Sequence, residues 1–518
     1  MKKLLSIVLS IIIFIGAFAL PSLAQENELT YKERIYTAIS NMETLIDLRD
    51  YKVKVDDAFT YLEYLFYQQP ELYYWDILIE ECTQNSNGEL VKLAFTYDRT
   101  KEQMLIERMF IENQTNKVIE KIDKNWSDTE KALYIHDWLS VNFMYDYDLF
   151  EEPGTENHDI LNFLKDKRGV CESYANTYMY ILRRIGINSY LVVSEEDNHG
   201  WNVVEIDGKW YHVDVTNDDP ILSVEGQPPY HYDYVGEVEH KKFLLSDSEI
   251  IADGNHDNFF VPGVDGIVCE SYTGNDSWRT ATTAVHKIGE YWYYLDNSKD
   301  AGGLMRTKDF ENTERIMEIG YYYESWGFYG WLKDDGTIQG NYYAGLFEYN
   351  GHLFFNTEKE IYVYDSHHNI FKTVPIDRPQ GKYYYGLNMD GKTITYLASA
   401  DDLLHNVVEG EYVLGVDIKH LSTDWEIIKN PTETEDGEKV KFCYYCADIV
   451  ERQTIPALSS VVLGDANSDR DINTTDLAVL KLYLAGINKE IGIGADMDRD
   501  GAINTKDLAT LKLKLAGF

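Results

Sequence analysis

Cysteine is scarce, with 5 in 518 residues, and the number is odd. So few thiols exclude a disulfide framework as the organising principle, and at least one stays unpaired in the monomer. Positive charge is also short. The chain has 47 Lys and Arg against 88 Asp and Glu, a formal net charge of −41. That balance argues against nucleic acid or an anionic membrane as partner, since both demand clustered Lys and Arg. Beyond residue 20 no apolar run is long enough to span a bilayer, which takes about 20 residues. Nor is there a carboxylate pair at a spacing that would support glycoside hydrolysis.

What is present begins at the N-terminus. Lys2 and Lys3 precede an apolar stretch over 4–20, and Ser22 and Ala24 supply small residues before Gln25. This pattern is that of a cleaved secretory signal over 1–24, so the mature chain is expected to be exported, soluble and free of the membrane. Its length calls for several domains. Residues 25–115 read as an α/β leader module, with helical periodicity over 31–48 and 55–67. After the Asn-Ser-Asn-Gly turn at 85–88, a strand is expected over 90–97. Residues 116–250 form a second unit, with helices expected over 117–122 and 128–143 and another following Cys171. The stretch 258–420 is rich in tyrosine and glycine. Short apolar strands recur there at 289–295, 351–355 and 391–397, an all-β pattern of irregular, propeller-like repeats. A small β module at 421–460 carries Asp424, Trp425, Cys443, Cys446, Ile455 and Pro456. It resembles short repeats near the ends of bacterial surface proteins. One Cys-x-x-Cys pair is only half of a tetrahedral zinc site, so a local disulfide or two idle thiols is the simpler reading.

The last sixty residues repeat a twelve-residue loop. The first copy places Asp465, Asn467, Asp469, Asp471, Asn473 and Asp476 at positions 1, 3, 5, 7, 9 and 12. The second places Asp496, Asp498, Asp500, Ala502, Asn504 and Asp507 there, thirty-one residues on. Calcium takes six to eight oxygens, and these are the positions that supply them, position 7 through its backbone carbonyl. Each loop opens an apolar helix, over 477–484 and 508–515. Arg470 occupies position 6, where glycine makes the sharp turn. A non-glycine residue at positive φ costs about 1–2 kcal/mol, so the first loop should hold its ion less tightly. Residues 461–518 resemble a type I dockerin, the module that plugs an enzyme into a cohesin on a cellulosome scaffoldin. The resemblance implies two Ca2+ ions and docking in two orientations. It also implies a cohesin-facing surface of Thr474, Thr475, Leu480 and Lys481, with Thr505, Lys506, Leu511 and Lys512 as symmetry mates.

The central chemistry lies at Cys171. Gly169 and Val170 end a loop, and 172–185 has helical spacing with no Gly or Pro, so Cys171 should sit at a helix N-terminus. There the dipole and free N–H groups favour thiolate, and the Cys171 N–H is available to an oxyanion. His199 and Asp214 lie on two strands joined by Asp207-Gly208, a strong hairpin turn. Counting back from that turn pairs Trp201 with Asp214, which makes His199 and Asp214 diagonal neighbours on one face. A carboxylate there can orient the imidazole, and the imidazole can hold a thiolate. No second oxyanion donor is identifiable. With 131–138, Tyr145, Asp146 and the Asp214-to-Pro220 segment, these residues resemble the transglutaminase-like superfamily, a papain-like fold. The resemblance implies Cys171 as nucleophile, His199 as general base and acid, and Asp214 as orienter. Ser173 and Asn217 depart from the usual glycine and tryptophan of the motifs, which bears on pocket shape and not on the triad.

The expected fold is therefore multidomain: an α+β papain/transglutaminase-like core, an all-β repeat region, a small β module and a C-terminal α-helical, calcium-binding type I dockerin. The expected function is cysteine-dependent acyl transfer, with hydrolysis of a peptide or amide favoured over crosslinking because water is in vast excess outside the cell. No organic cofactor is implied. The expected partners are a scaffoldin cohesin, a protein or peptide substrate and, through the complex, plant cell-wall material. The alternative is a non-catalytic, dockerin-borne adaptor in a polysaccharide-degrading complex.

Overall fold

The structure is a computed structural model. It describes residues 30–517 apart from 75–78, 147–157, 224–230, 234–235, 253, 297–301, 320, 324–327, 333–337, 340–343, 401–406, 415–423, 433, 444–447, 458–460, 489 and 500–501. The segment 1–24 read as a signal, Cys446, and Asp500 read as a calcium ligand thus lie outside the described residues. The chain divides into two compact units. One comprises residues up to 217 with 242–273; the other comprises 218–241 and the chain from 274 onward. Among the described residues, no helix is long and apolar enough to cross a membrane.

The first unit opens with α1 (Tyr31–Ser40), started by a reciprocal box in which Thr30 accepts from Glu33 N and the Glu33 carboxylate accepts from Thr30 N. The helical reading of 31–48 holds only for this first part. The helix stops at Ser40, Met42 takes φ 55°, and Leu45–Asp47 becomes β1. Pairing to the strand Leu90–Phe95 satisfies that segment's backbone and buries Ile46 completely, which outweighs the helical spacing. Next come α2 (Val55–Gln68), β2 (Ile79–Gln84) and β3 (Leu90–Phe95), with β3 central in the sheet. Ile35, Ile39, Leu62, Leu65, Leu93 and Phe95 fill the core between helices and sheet. The helix expected at 117–122 is the end of a longer one, α3 (Lys101–Ile119). Its buried face, Met104, Ile111, Thr115 and Val118, keeps helical spacing.

The chain continues through α4 (Asp128–Asn142), a short parallel pair of β4 (Met144–Tyr145) and β5 (Arg168–Gly169), and α5 (Ile160–Asp166) between them. Then come α6 (Cys171–Arg184), β6 (Ser189–Ser194), β7 (His199–Ile206) and β8 (Lys209–Val213), followed by β9 (Phe243–Leu245) and α7 (Asp247–Ile251). The antiparallel sheet runs β9-β8-β7-β6, and α6 packs on it through Ala175, Met179 and Leu191. The buried Gln68 at the end of α2 locks the leader to this sheet. Its Nε2 donates to the Leu191 carbonyl at 3.0 Å and to the Pro262 carbonyl at 3.2 Å, while its Oε1 accepts from Leu191 N at 2.9 Å.

In the second unit, successive strands pair antiparallel into separate meanders. One has four strands from His286–Ile288 to Thr313–Glu318, and another has four from Leu346–Tyr349 to Ile370–Thr373. Three-stranded sheets run from Tyr383–Asp390 to Val408–Val413 and from Glu426–Lys429 to Ile449–Ile455. The tyrosines serve as core: Tyr293, Tyr364 and Tyr384 are almost wholly buried, and Tyr364 stacks on Phe371 at 4.4 Å. The C-terminal segment folds as two loops leading into α8 (Thr474–Leu484) and α9 (Thr505–Leu515).

Candidate active site and calcium loops

Cys171 is the first residue of α6. Val170 before it supplies no side-chain cap, so the helix's first N–H groups point outward without that internal acceptor. Gly169 is obligatory on packing grounds. A Cβ there would lie 2.6 Å from Phe163 Cδ2 and 2.7 Å from Ser173 Oγ. The Asp207-Gly208 hairpin pairs Ile206 with Lys209 and Asn202 with Val213, the register expected from the turn. His199 begins β7 and Asp214 directly follows β8, so the two side chains reach across the ladder. His199 Nε2 lies 2.7 Å from Asp214 Oδ2, and the Cys171 sulfur is near enough to favour the charged form of the same imidazole. With Nε2 occupied by the carboxylate, Nδ1 is the nitrogen left for sulfur. Cys171 is partly exposed and the His199 side chain is 14% exposed, whereas Asp214 is 1% exposed. The sulfur and imidazole are therefore reachable from solvent, and the carboxylate is not.

The electrostatics of the pair are strongly perturbed. Burial opposes the charged imidazole of His199. The Asp214 carboxylate and the Cys171 sulfur outweigh it, raising the His199 pKa well above 6.5. Burial likewise opposes ionisation of Asp214. The charges and hydrogen bonds of His199 and His256 win, holding its pKa far below the ordinary carboxylate range.

Sequence reasoning missed His256. It is fully buried and its Nε2 lies 2.8 Å from the same Asp214 Oδ2. Asn217 Nδ2 donates to that oxygen at 2.6 Å, and Asn217 N donates to Oδ1 at 3.2 Å. One carboxylate oxygen thus gathers three donors. Trp201, also 1% exposed, stacks on His199 at 5.5 Å and meets His256 edge-on at 4.8 Å. Its indole Nε1–H donates to His212 Nδ1 at 2.9 Å. Indole can only donate, so His212 carries its proton on Nε2 and donates it to Asp247 at 3.0 Å. Burial, opposed by Asp247, lowers the His212 pKa and keeps that ring neutral. No spacing signal could have revealed His256, because it follows Asp214 by forty-two residues and no single helix or strand carries both.

In the first C-terminal loop, Asp465, Asp469 and Asp476 each bring an oxygen within 4.8 Å of the others. The fully buried Asp476 accepts from Ala466 N, Asn467 N and Asn473 N, and Asp465 accepts from Asp469 N and Arg470 N. Asn467 Oδ1 and Asp469 Oδ1 turn the loop by accepting from Asp469 N and Asp471 N. Arg470 adopts φ 72°, the left-handed conformation its position requires. In the second loop, buried Asp507 accepts from Met497 N and Asn504 N, while Asn504 Nδ2 donates to the Ala502 carbonyl. Asp498 pairs with Lys506, and Asp496 closes a 3-10 turn. In the first loop, the convergence of Asp465, Asp469 and Asp476 suits a hard dication.

Residues 116–215 match the transglutaminase-like superfamily, and residues 463–516 match the type I dockerin domain. The chain carries a transglutaminase-like domain and a dockerin. Type I dockerins bind calcium, and a dockerin implies a cohesin as partner. Dockerin proteins are generally extracellular cellulosome components. No curated protein matches the chain. Among solved structures, a TGase is 15% identical with a TM-score of 0.21, covering 40% of this chain and 53% of its own. A structure described as a putative cysteine protease from Cytophaga hutchinsonii is 17% identical at TM-score 0.17, over 27% and 62%. TolB from Acinetobacter baumannii is 13% identical at TM-score 0.20, over 52% and 63%. These superpositions are too loose to argue from, and the chain spans less than two thirds of each of these proteins.

The dockerin corrects one sequence expectation. Leu480 and Leu511 do not face a partner. Both are fully buried, packed with Ala466 and Ala495 in the module's own core. They sit one turn after the buried Asp476 and Asp507 on the inward faces of α8 and α9, so the helix that closes each loop also buries them. Thr474, Thr475, Lys481, Thr505, Lys506 and Lys512 are exposed. Beside them the exposed apolar residues are Leu482 and Leu513, at 43% and 56%.

Proposed function

We propose that this chain is an exported, cysteine-dependent acyl-transfer enzyme that hydrolyses peptide or amide bonds and is held to a scaffold cohesin by its dockerin. The line of Cys171, His199 and Asp214, with its sulfur end open to solvent and its carboxylate end buried, carries the reading. Cys171 Sγ attacks the carbonyl carbon, forming the C–S bond as the carbonyl π pair moves onto oxygen. The N–H of Cys171 at the start of α6 stabilises that oxyanion. On collapse, the C–N bond breaks and His199 passes a proton to the departing amine, leaving a thioester. His199 then removes a proton from water, whose oxygen attacks the thioester, and the carboxylic acid leaves as the sulfur regains its charge. Asp214 keeps the imidazole in register and stabilises its charged form throughout. His256, Asn217 and Trp201 hold Asp214 and His199 in place, as positioning residues.

Two calcium ions would serve the dockerin. The first would be held by Asp465, Asn467, Asp469, Asp471, Asn473 and Asp476. The second would be held by Asp496, Asp498, Asp500, Ala502, Asn504 and Asp507. Their contribution is structural, because so small a module has little core without its ions. The signal-like segment at 1–24 supports export, and the docking face supports a cellulosome at the cell surface.

The test is Cys171→Ala, incubated with casein and a peptide library and read by mass spectrometry. Cleavage is expected to vanish while cohesin binding is retained. Undiminished amidase activity in the variant would refute the assignment. Equal inactivity of the native chain on every substrate, with Cys171 inert to iodoacetamide, would favour the non-catalytic adaptor.

A further inference from the structure

A cluster of metal-binding character sits in the second unit, on residues that neither catalysis nor docking uses. Between the strands Ile361–Asp365 and Ile370–Thr373, the chain turns through Ser366, His367, His368 and Asn369. Asp365 builds this turn. Its Oδ1 accepts from His367 N at 3.0 Å and His368 N at 3.2 Å, and Asn369 takes φ 55°. The Asp365 side chain is only 5% exposed, and its Oδ2 lies 2.6 Å from His368 Nδ1. A carboxylate accepting at Nδ1 sets the tautomer and aims Nε2 away from it, which is how proteins orient a metal-ligating histidine.

The Nε2 of His368 points at Glu426, the first residue of the strand Glu426–Lys429. It lies 3.6 Å from Oε1, while His367 Nε2 lies 3.7 Å from Oε2. Both separations are too long for a normal hydrogen bond, which spans about 2.7–3.2 Å. They are close to the spacing of two ligands that share one ion. Two atoms each about 2.1 Å from zinc, at near-tetrahedral angles, stand roughly 3.4–3.6 Å apart. One ligand atom from each of His367, His368 and Glu426 lies within 4.8 Å of those of the other two. The two imidazoles are perpendicular, with centroids 4.9 Å apart.

We propose that His367, His368 and Glu426 form a binding site for a divalent transition-metal ion of the zinc class, with Asp365 orienting His368 and a fourth position open to water. Two nitrogens and one carboxylate suit zinc and not calcium, which takes six to eight oxygens. The ion ties the turn at 366–369 to the small β module that begins at Glu426. A clip between segments so distant in sequence does the work of a disulfide in a chain with few cysteines.

The experiment titrates Zn2+ into the full chain, saturated with Ca2+ and with its thiols blocked by iodoacetamide. The native protein is compared with His367→Ala, Glu426→Gln and Asp365→Asn. His367 is 75% exposed at its side chain, so its removal leaves folding intact. The native chain should bind one Zn2+ that His367→Ala and Glu426→Gln lose, with affinity down at least 100-fold. Asp365→Asn should weaken it roughly 10–100-fold, the usual effect of removing an orienting partner. Co2+ bound in its place should show the intense visible bands of four-coordinate geometry, and Zn2+ should raise Tm only where the site is intact. The proposal is overturned if His367→Ala binds Zn2+ with the native stoichiometry and affinity. It is equally overturned if the native chain takes up no Zn2+ under these conditions.

Discussion

Replacing Asp214 by Asn keeps the size of a wholly buried side chain and removes its charge. In the native site, the carboxylate oxygen lies 2.7 Å from His199 Nε2. The centres of the two charges are then about 4 Å apart, and at an effective dielectric near 20 their attraction is about 4 kcal/mol. Losing it should lower the pH at which His199 gives up its proton. The readout needs no substrate. Alkylation of Cys171 by iodoacetate and by iodoacetamide is followed on the Cys171 peptide by mass spectrometry, from pH 4 to 10. A cationic imidazole beside the sulfur favours the anionic reagent, so the ratio of the two rates tracks the His199 charge. In the native chain that preference should persist past neutral pH, as the raised pKa requires. In Asp214→Asn it should collapse at lower pH than in the native chain. Superimposable ratio profiles for the two proteins would show that Asp214 does not sustain the imidazolium, and the electrostatic account of the site would fail.

Other consequences can be checked independently. The His199–Asp214 pair makes stability depend on pH from both sides. The depressed Asp214 contributes fully above its unfolded pKa near 3.9, and that part is lost as pH falls through its lower folded value. The raised His199 contributes fully below its unfolded pKa near 6.5, and that part is lost as pH rises through its higher folded value. Urea midpoints should therefore peak between about pH 4 and 6.5 relative to Asp214→Asn, and a flat difference would contradict the pairing. Gly169→Ala should cost about 1–3 kcal/mol in urea unfolding, because the new Cβ meets Phe163 and Ser173 below 3 Å; a neutral result would mean the turn has room to relax. Arg470→Gly should relieve about 1–2 kcal/mol of backbone strain. Calorimetric titration should then show the weaker calcium affinity tightening by roughly 5–30-fold. Chelation of calcium should expose 461–518 to proteolysis while leaving the transglutaminase-like domain resistant, and protection of both would count against an ion-dependent module.

The parts of this protein legible in its sequence are those governed by neighbours along the chain. The Asp207-Gly208 turn has a defined geometry, so counting from it placed His199 and Asp214 on one face before any coordinates. Cys171 heads a helix because Gly169 and Val170 lead into it and no breaker follows, and the repeated twelve-residue loops declare themselves because their residue spacing is local. Tertiary structure alone decided the rest. Strand pairing took 45–47 from the helix that periodicity suggested, since backbone groups meet their partners wherever packing brings them. Burial turned Leu480 and Leu511 inward, because the short α8 and α9 build the module's small core together with the loops. His256 joined the Asp214 carboxylate, and Glu426 came to face His367 and His368, through convergence of segments distant along the chain. Such meetings follow from how whole elements pack, and no periodicity in the amino-acid order encodes them.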